Sequence, residues 1–305
     1  MSAMLGDLLC IEKPVVLAPM GFVSGGALAA AVSHAGGLGL IGAGYGNPDW
    51  IRREFDRAGD ARVGVGFITW SLAKQPDLLD LALGYQPSAV MLSFGDPRPF
   101  AAKIRKRGAR LICQVQSLAI ARQALEAEPD VLVAQGTEAG GHGGERSLFA
   151  LLPAVKDLAP EKPILAAGGV ADHRGYEAAI ALGAAGVLVG TRFSASHEAL
   201  TAPRAKQRIV EASGDATIRT TVFDVARGYD AGWAGITGRA LRNKFTAAWH
   251  GREAALAERI ESEREAYDAA VERQDFDTAL VFAGEGVDLI DTVLPAAEIV
   301  LRLMH

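Results

Sequence analysis

Short apolar runs alternate along this chain with stretches whose apolar residues recur at helical spacing. Runs at 15–20, 38–43, 62–68, 89–94, 110–115, 131–135, 163–167 and 186–190 predict eight strands. Most are too continuously apolar for a half-exposed sheet and read as strands buried on both faces. Helical patterns at 26–35, 48–58, 75–83, 97–107, 118–127, 147–158 and 172–182 separate them. Asn47, before Pro48, and Asp172 are placed to cap two of these helices.

Eight β-α units in series, with no hairpin signal between them, predict an all-parallel sheet. That number closes a (β/α)8 TIM barrel, and an open doubly wound sheet is the alternative. The regularity then stops. A helix is expected at 201–213, a Gly-rich irregular stretch at 217–243, a strongly charged helical region at 247–273 and a last helix at 291–303. Residues 1–215 are therefore read as the barrel. Residues 216–305 are read as an irregular lid segment and a C-terminal helical extension packing on it.

Composition narrows the function classes. Half of the 305 residues are hydrophobic and 22% are charged, which provides for a large core. The net charge of −5 gives no reason to expect nucleic acid or an anionic membrane as partner. Two cysteines, Cys10 and Cys113, build no disulfide framework and fit a reducing compartment. The N-terminus lacks a basic signal region, and no apolar run approaches the roughly 20 residues of a span, so a cytoplasmic location is expected. The charged face at 252–273 is either solvated or a homodimer contact.

In a parallel barrel, ligands sit at the C-terminal strand ends. The sixth strand runs into Q-G-T-E-A-G-G-H-G-G, in which one histidine, His142, stands among Gly140, Gly141, Gly143 and Gly144. The first strand ends in Ala18, Pro19, Met20 and Gly21, the third at Gly66, and the fifth at Gln114 and Gln116. Gln135, Gly136 and Glu138 follow the sixth. The seventh gives Ala167, Gly168 and Gly169, and the eighth Gly190 and Thr191. Bare loops after strands seven and eight of such barrels often hold phosphate on main-chain N–H groups. No histidine, cysteine and carboxylate cluster has metal spacing, and no serine stands on a nucleophile elbow. Amides, hydroxyls and a phosphate site suit a phosphorylated heterocycle such as flavin mononucleotide (FMN). Glu138 either orients His142 or holds its own loop. Phe22, Tyr45, Trp70 and Trp233 are candidate walls of an apolar pocket.

The strings L-A-P-M-G at 17–21, A-A-A-V-S-H-A-G-G-L-G at 29–39, Q-G-T-E-A-G-G-H at 135–142, A-A-G-G-V at 166–170, G-T-R-F at 190–193 and G-R-A-L-R-N at 238–243 resemble the nitronate monooxygenase family. They also resemble the FMN-dependent enoyl-acyl-carrier-protein reductases and related NADH:quinone reductases. The resemblance implies an FMN-binding barrel with His142 as catalytic residue. It places Ala18, Pro19, Met20, Gly21, Gly66, Gln114, Gln135, Gly136, Gly140 and Gly141 along the flavin. It gives the phosphate to Gly168, Gly169, Gly190 and Thr191, with Ala167 a further cofactor contact.

It further implies oxidation of a small nitronate by O2 to a carbonyl compound and nitrite. An imidazole titrates near neutral pH and suits a base that deprotonates a neutral nitroalkane. The alternative is hydride transfer from NAD(P)H to an enoyl thioester or a quinone. One departure stands out: many relatives carry G-V-N in the third strand, where this chain has Gly64-Val65-Gly66.

Overall fold

The computed structural model describes residues 2–233 and 235–305. Eight parallel strands form the central sheet: β1 (Val15–Leu17), β2 (Gly39–Gly42), β3 (Val63–Ile68), β4 (Ala89–Ser93), β5 (Arg110–Val115), β6 (Val131–Gln135), β8 (Ile164–Ala167) and β9 (Gly186–Val189). Their order is β1-β9-β8-β6-β5-β4-β3-β2. A parallel bridge between Val16 and Leu38 joins the two ends. There the Leu17 N–H donates to Leu38 O at 2.9 Å, and the Leu38 N–H to Val15 O at 3.0 Å. The sheet is thus a closed (β/α)8 TIM barrel, and the open-sheet alternative falls.

The alternation of side chains along each strand sorts residues between two cores. Val16, Leu40, Met91, Ile112, Val133, Leu165 and Leu188 fill the barrel interior. Leu5 and Leu9, from a helix at Ser2–Leu9, pack among them. An ideal Cβ on Gly186, which begins β9, would lie 2.9 Å from Leu5 Cδ2, so this helix plugs the barrel's N-terminal end. The alternate residues, among them Val15, Leu17, Ile41, Val65, Val90 and Leu132, pack outward under the helices. The predicted caps are present: Asn47 Oδ1 accepts from Asp49 and Trp50, and Asp172 Oδ1 from Gly175.

Four expectations need correction. The stretch at 217–243 is not irregular: it holds β10 (Thr217–Thr220), a helix at Val222–Arg227 and β11 (Thr237–Leu241). Only Ala234 of that stretch lies outside the described residues. The loop after β6 is not bare coil either, because Gly141–Gly143 forms β7. The antiparallel sheet β10-β11-β7 pairs Gly238 with His142. The charged region is three helices, Lys244–Trp249, Glu253–Glu258 and Ile260–Glu272, rather than one run. The final helix begins later than expected, at Ala296, after Pro295.

Candidate active site

One period-two argument explains which residues reach the barrel mouth. Continuing inward from Val16, Met91, Ile112, Val133, Leu165 and Leu188 in steps of two gives Ala18, Ser93, Gln114, Gln135, Ala167 and Gly190. All six line a single cavity of about 560 Å³, a size that cofactor sites commonly have at roughly 300–1,000 Å³. The cavity wall also includes Pro19, Met20, Gly21, Gly66, Gly140, Gly141, His142, Gly168, Gly169 and Thr191. Gly136 does not reach it. An ideal Cβ there would overlap a carboxylate oxygen of Glu138 and approach Leu148, so Gly136 packs under its own loop.

The glutamines form a chain of bonds. Gln114 and Gln116 each donate from Nε2 to Gln135 Oε1, at 3.1 and 2.9 Å. Gln135 in turn donates to the main-chain oxygen of His142 at 2.9 Å. Buried amides at this position lose free energy if left unpaired. The network therefore fixes the backbone of His142 from inside the barrel.

From outside, two arginines hold the same loop. Arg219, on β10, donates from Nε and Nη2 to Thr137 O at 3.1 and 2.9 Å, and from Nη1 to Gly143 O at 3.3 Å and Thr237 O at 2.9 Å. Arg239, on β11, adds a bond to Thr137 O at 2.9 Å and pairs with Glu285 at 2.8 Å. Burial, and then the neighbouring Arg239, push the Arg219 guanidinium down to about 10, which leaves it cationic at neutral pH. Its hydrogen bonds to carbonyl oxygens compensate for its desolvation.

The His142 imidazole is held on three sides. Nε2 lies 3.0 Å from both oxygens of Asp224, a buried carboxylate on the helix at Val222–Arg227. A carboxylate only accepts, so Nε2 carries the proton and Nδ1 presents its lone pair. Nδ1 has no hydrogen-bond partner among the described residues. Trp233 stacks flat on the ring at 3.5 Å and 4°, and Phe282 meets it edge-on at 5.4 Å. Glu138 does not orient the imidazole. Its carboxylate accepts from the Leu148 N–H at 2.9 and 3.0 Å, at the start of the helix Leu148–Leu158, and holds the loop. Asp224, the residue that does orient His142, is one that motif reading missed.

The aromatic candidates are brought together unevenly. Phe22, Tyr45 and Trp233 line the cavity, joined by Phe94. Trp70 stands behind them, tilted against Tyr45 at 5.9 Å and edge-on to Trp233 at 5.5 Å. Near the strand-seven and strand-eight loops, Gly168 and Gly169 adopt φ of +106° and +74°, which only glycine enters freely. The C-terminal extension completes that corner. Gly284 and Gly286 line the cavity, and the Gly284 N–H donates to Thr191 Oγ1 at 3.0 Å. An ideal Cβ on Gly140 would sit 2.7 Å from the Ala283–Gly284 backbone and 2.9 Å from Thr191 Oγ1. This bare, close-packed corner fits a flat or phosphorylated ligand laid against main chain. Among the described residues, no group of three or more histidines, cysteines and carboxylates could hold a metal, and no helix is long and apolar enough to cross a membrane.

Comparisons with known proteins agree with this geometry. The sequence profile of the family described as nitronate monooxygenase matches residues 2–65 and 66–305. The nitronate monooxygenase npaC of Metarhizium robertsii is 34% identical over 327 residues, covering 95% of this chain and 89% of the relative. The structure of FabK from Thermotoga maritima superposes with a TM-score of 0.84 at 32% identity, covering 98% of this chain and 94% of that one. The nitroalkane oxidase of Streptomyces ansochromogenes superposes with a TM-score of 0.81 at 27% identity, covering 98% and 96%. A TIM barrel whose glycine-bedded histidine faces a cofactor-sized cavity, matched along nearly its whole length, places this chain in the nitronate monooxygenase family of oxidoreductases.

Proposed function

We propose that the protein is an FMN-dependent nitronate monooxygenase, converting alkyl nitronates and O2 to carbonyl compounds and nitrite. The observation that carries this reading is the Asp224–His142 pair on the cavity wall, with Nε2 bound to the carboxylate and Nδ1 without a hydrogen-bond partner among the described residues. Nitroalkane and nitronate differ by one proton on carbon, and a positioned imidazole is a suitable group to take it.

FMN fits the residues present. Its phosphate would be held at the corner of Gly168, Gly169, Gly190 and Thr191, closed by Gly284. Its ring would lie along Ala18, Pro19, Met20, Gly21 and Gly66, with Gln114, Gln135, Gly140 and Gly141 on the remaining wall. When bound, the flavin supplies the electron transfer and the reaction with O2. The chain's own contribution is binding, orientation and proton transfer. His142 Nδ1 takes the proton from a neutral nitroalkane or donates one, once protonated, to a nitro-group oxygen. Asp224 keeps the imidazole in the required tautomer and stabilises it when charged, as carboxylates do in acid–base dyads. The Gln114–Gln116–Gln135 network and Arg219 keep the histidine's backbone in place while this happens.

The test is an aerobic assay of the purified yellow protein with ethyl nitronate and no pyridine nucleotide. Stoichiometric O2 consumption and nitrite release support the reading. Turnover that requires NADH or NADPH sinks it in favour of the reductase alternative.

A further inference from the structure

Tyr45 sits between β2 and the following helix, and its surroundings leave one of its groups unused. Its main-chain oxygen accepts from Ser71 Oγ at 2.8 Å, which fixes the backbone. Its ring stacks on Tyr229 at 3.7 Å and 2°, and Arg227 lies over both rings, 5.5 and 5.1 Å from their centroids. Its hydroxyl oxygen accepts from Trp233 Nε1 at 3.1 Å. A phenol has one proton to donate as well as lone pairs to accept with. The lone pair is occupied, and the O–H has no acceptor among the described residues. Burial raises the Tyr45 phenol above the ordinary tyrosine range, so the proton stays on oxygen at neutral pH. Beside it, Arg227 Nη1 is buried without a hydrogen-bond partner among the described residues. Tyr45 and Arg227 both line the cavity that holds His142.

Two donors without acceptors among the described residues, packed on one another in a cavity wall, call for an oxygen from a ligand. We propose that Tyr45 is a second substrate contact: its O–H donates to an oxygen of the bound substrate, with Arg227 favouring negative charge on that oxygen. The inference rests on the reading of the cavity as a substrate site. It deepens that reading by assigning the substrate an oxygen-bearing, anionic end held on the Trp233 side. Because Trp233 both stacks on His142 and donates to Tyr45, it sets the spacing between the proton acceptor and this donor.

The probe is nitrite, a small oxygen-bearing anion, titrated into the flavin-loaded protein and followed by the flavin absorption spectrum. Tyr45→Phe keeps the ring stacked and removes only the hydroxyl. Its expected effect is a nitrite dissociation constant raised about 10-fold with flavin content unchanged, and kcat/KM on ethyl nitronate lowered 10- to 100-fold. Tyr85→Phe, which removes a phenol that stacks on Phe55 and does not line the cavity, should change nitrite binding less than threefold. The proposal is overturned if wild-type protein shows no nitrite perturbation, if Tyr45→Phe stays within twofold of wild type, or if Tyr85→Phe weakens nitrite as much as Tyr45→Phe does. Failure of the nitronate reading would look different: wild-type protein would not turn over ethyl nitronate, while the nitrite contrast between the variants would persist.

Discussion

Asp224 grips His142 from 82 residues away, with both carboxylate oxygens 3.0 Å from Nε2. The two residues come from distant parts of the chain: His142 lies on β7, just after barrel strand β6, whereas Asp224 lies on the short helix between β10 and β11, in the segment that returns over the barrel mouth. Pairing of β7 with β11 brings that segment down onto the histidine loop. The small antiparallel sheet is thus the part of the fold that brings Asp224 onto His142 at the barrel mouth.

Asp224→Asn keeps the size and one hydrogen bond but removes the charge that stabilises a protonated His142. With neutral nitroethane, which must lose a proton, kcat/KM should fall by about 100-fold or more. With ethyl nitronate, already deprotonated, the loss should be at least 10-fold smaller. Steady-state kinetics on both forms of the substrate give the answer; equal losses on the two would remove Asp224 from proton transfer.

Arg219→Ala takes away the guanidinium that gathers the oxygens of Thr137, Gly143 and Thr237. Thr137 O keeps its bond from Arg239, but taking this donor from the Gly143 and Thr237 carbonyls should cost about 1–3 kcal/mol each where they are left unpaired and dry. A fall in Tm, together with faster amide exchange over residues 137–144, is the expected outcome. Arg219→Lys, with one point of charge in place of a fork, should recover only part of it.

Gly66 stands where the resemblance to the family leads one to expect asparagine, and Pro19 fills the space that a side chain would need. An ideal Cβ at Gly66 overlaps Cβ and Cγ of Pro19. Gly66→Asn should therefore behave as overpacking, destabilising by about 1–3 kcal/mol. Because Pro19 also lines the cavity, flavin retention on gel filtration should drop as well. A variant as stable and as yellow as wild type would show that Pro19 yields without cost.

The two cysteines should separate cleanly. Cys10 is exposed, whereas Cys113 is buried on β5, and burial pushes its thiol up to about 12. The thiolate is the reactive form, so Cys113 stays inert at pH 8. Titration with a disulfide reagent should find one thiol in the folded protein and two in guanidinium chloride; two reactive thiols in the native state would contradict the burial of Cys113.

Much of this was legible in the chain, for identifiable reasons. The eight parallel strands are continuous apolar runs, and β5 and β6 begin and end where the pattern says. His142 was legible because a lone imidazole among four glycines has few structural uses. Asp224 was not. Its helix at Val222–Arg227 is too short to show a period, and nothing local marks a carboxylate that acts across 82 residues. β7 reads Gly-His-Gly, with no strand propensity at all, and exists because β11 pairs with it. The N-terminal plug could have been read: Leu5, Leu8 and Leu9 have the spacing of one helical face. Glu138 is close to His142 in sequence, which left its role open between orienting the histidine and holding its loop; its carboxylate holds the loop at the start of the helix that follows.

The most direct measurement of the central claim is rapid mixing of the flavin-loaded protein, without oxygen, against ethyl nitronate and against NADH in parallel. An Asp224–His142 pair serving nitronate oxidation predicts fast flavin reduction by the nitronate, slowed with the neutral nitroalkane when His142 is replaced, and no comparable bleaching by NADH. Rapid bleaching by NADH with an inert nitronate would contradict it.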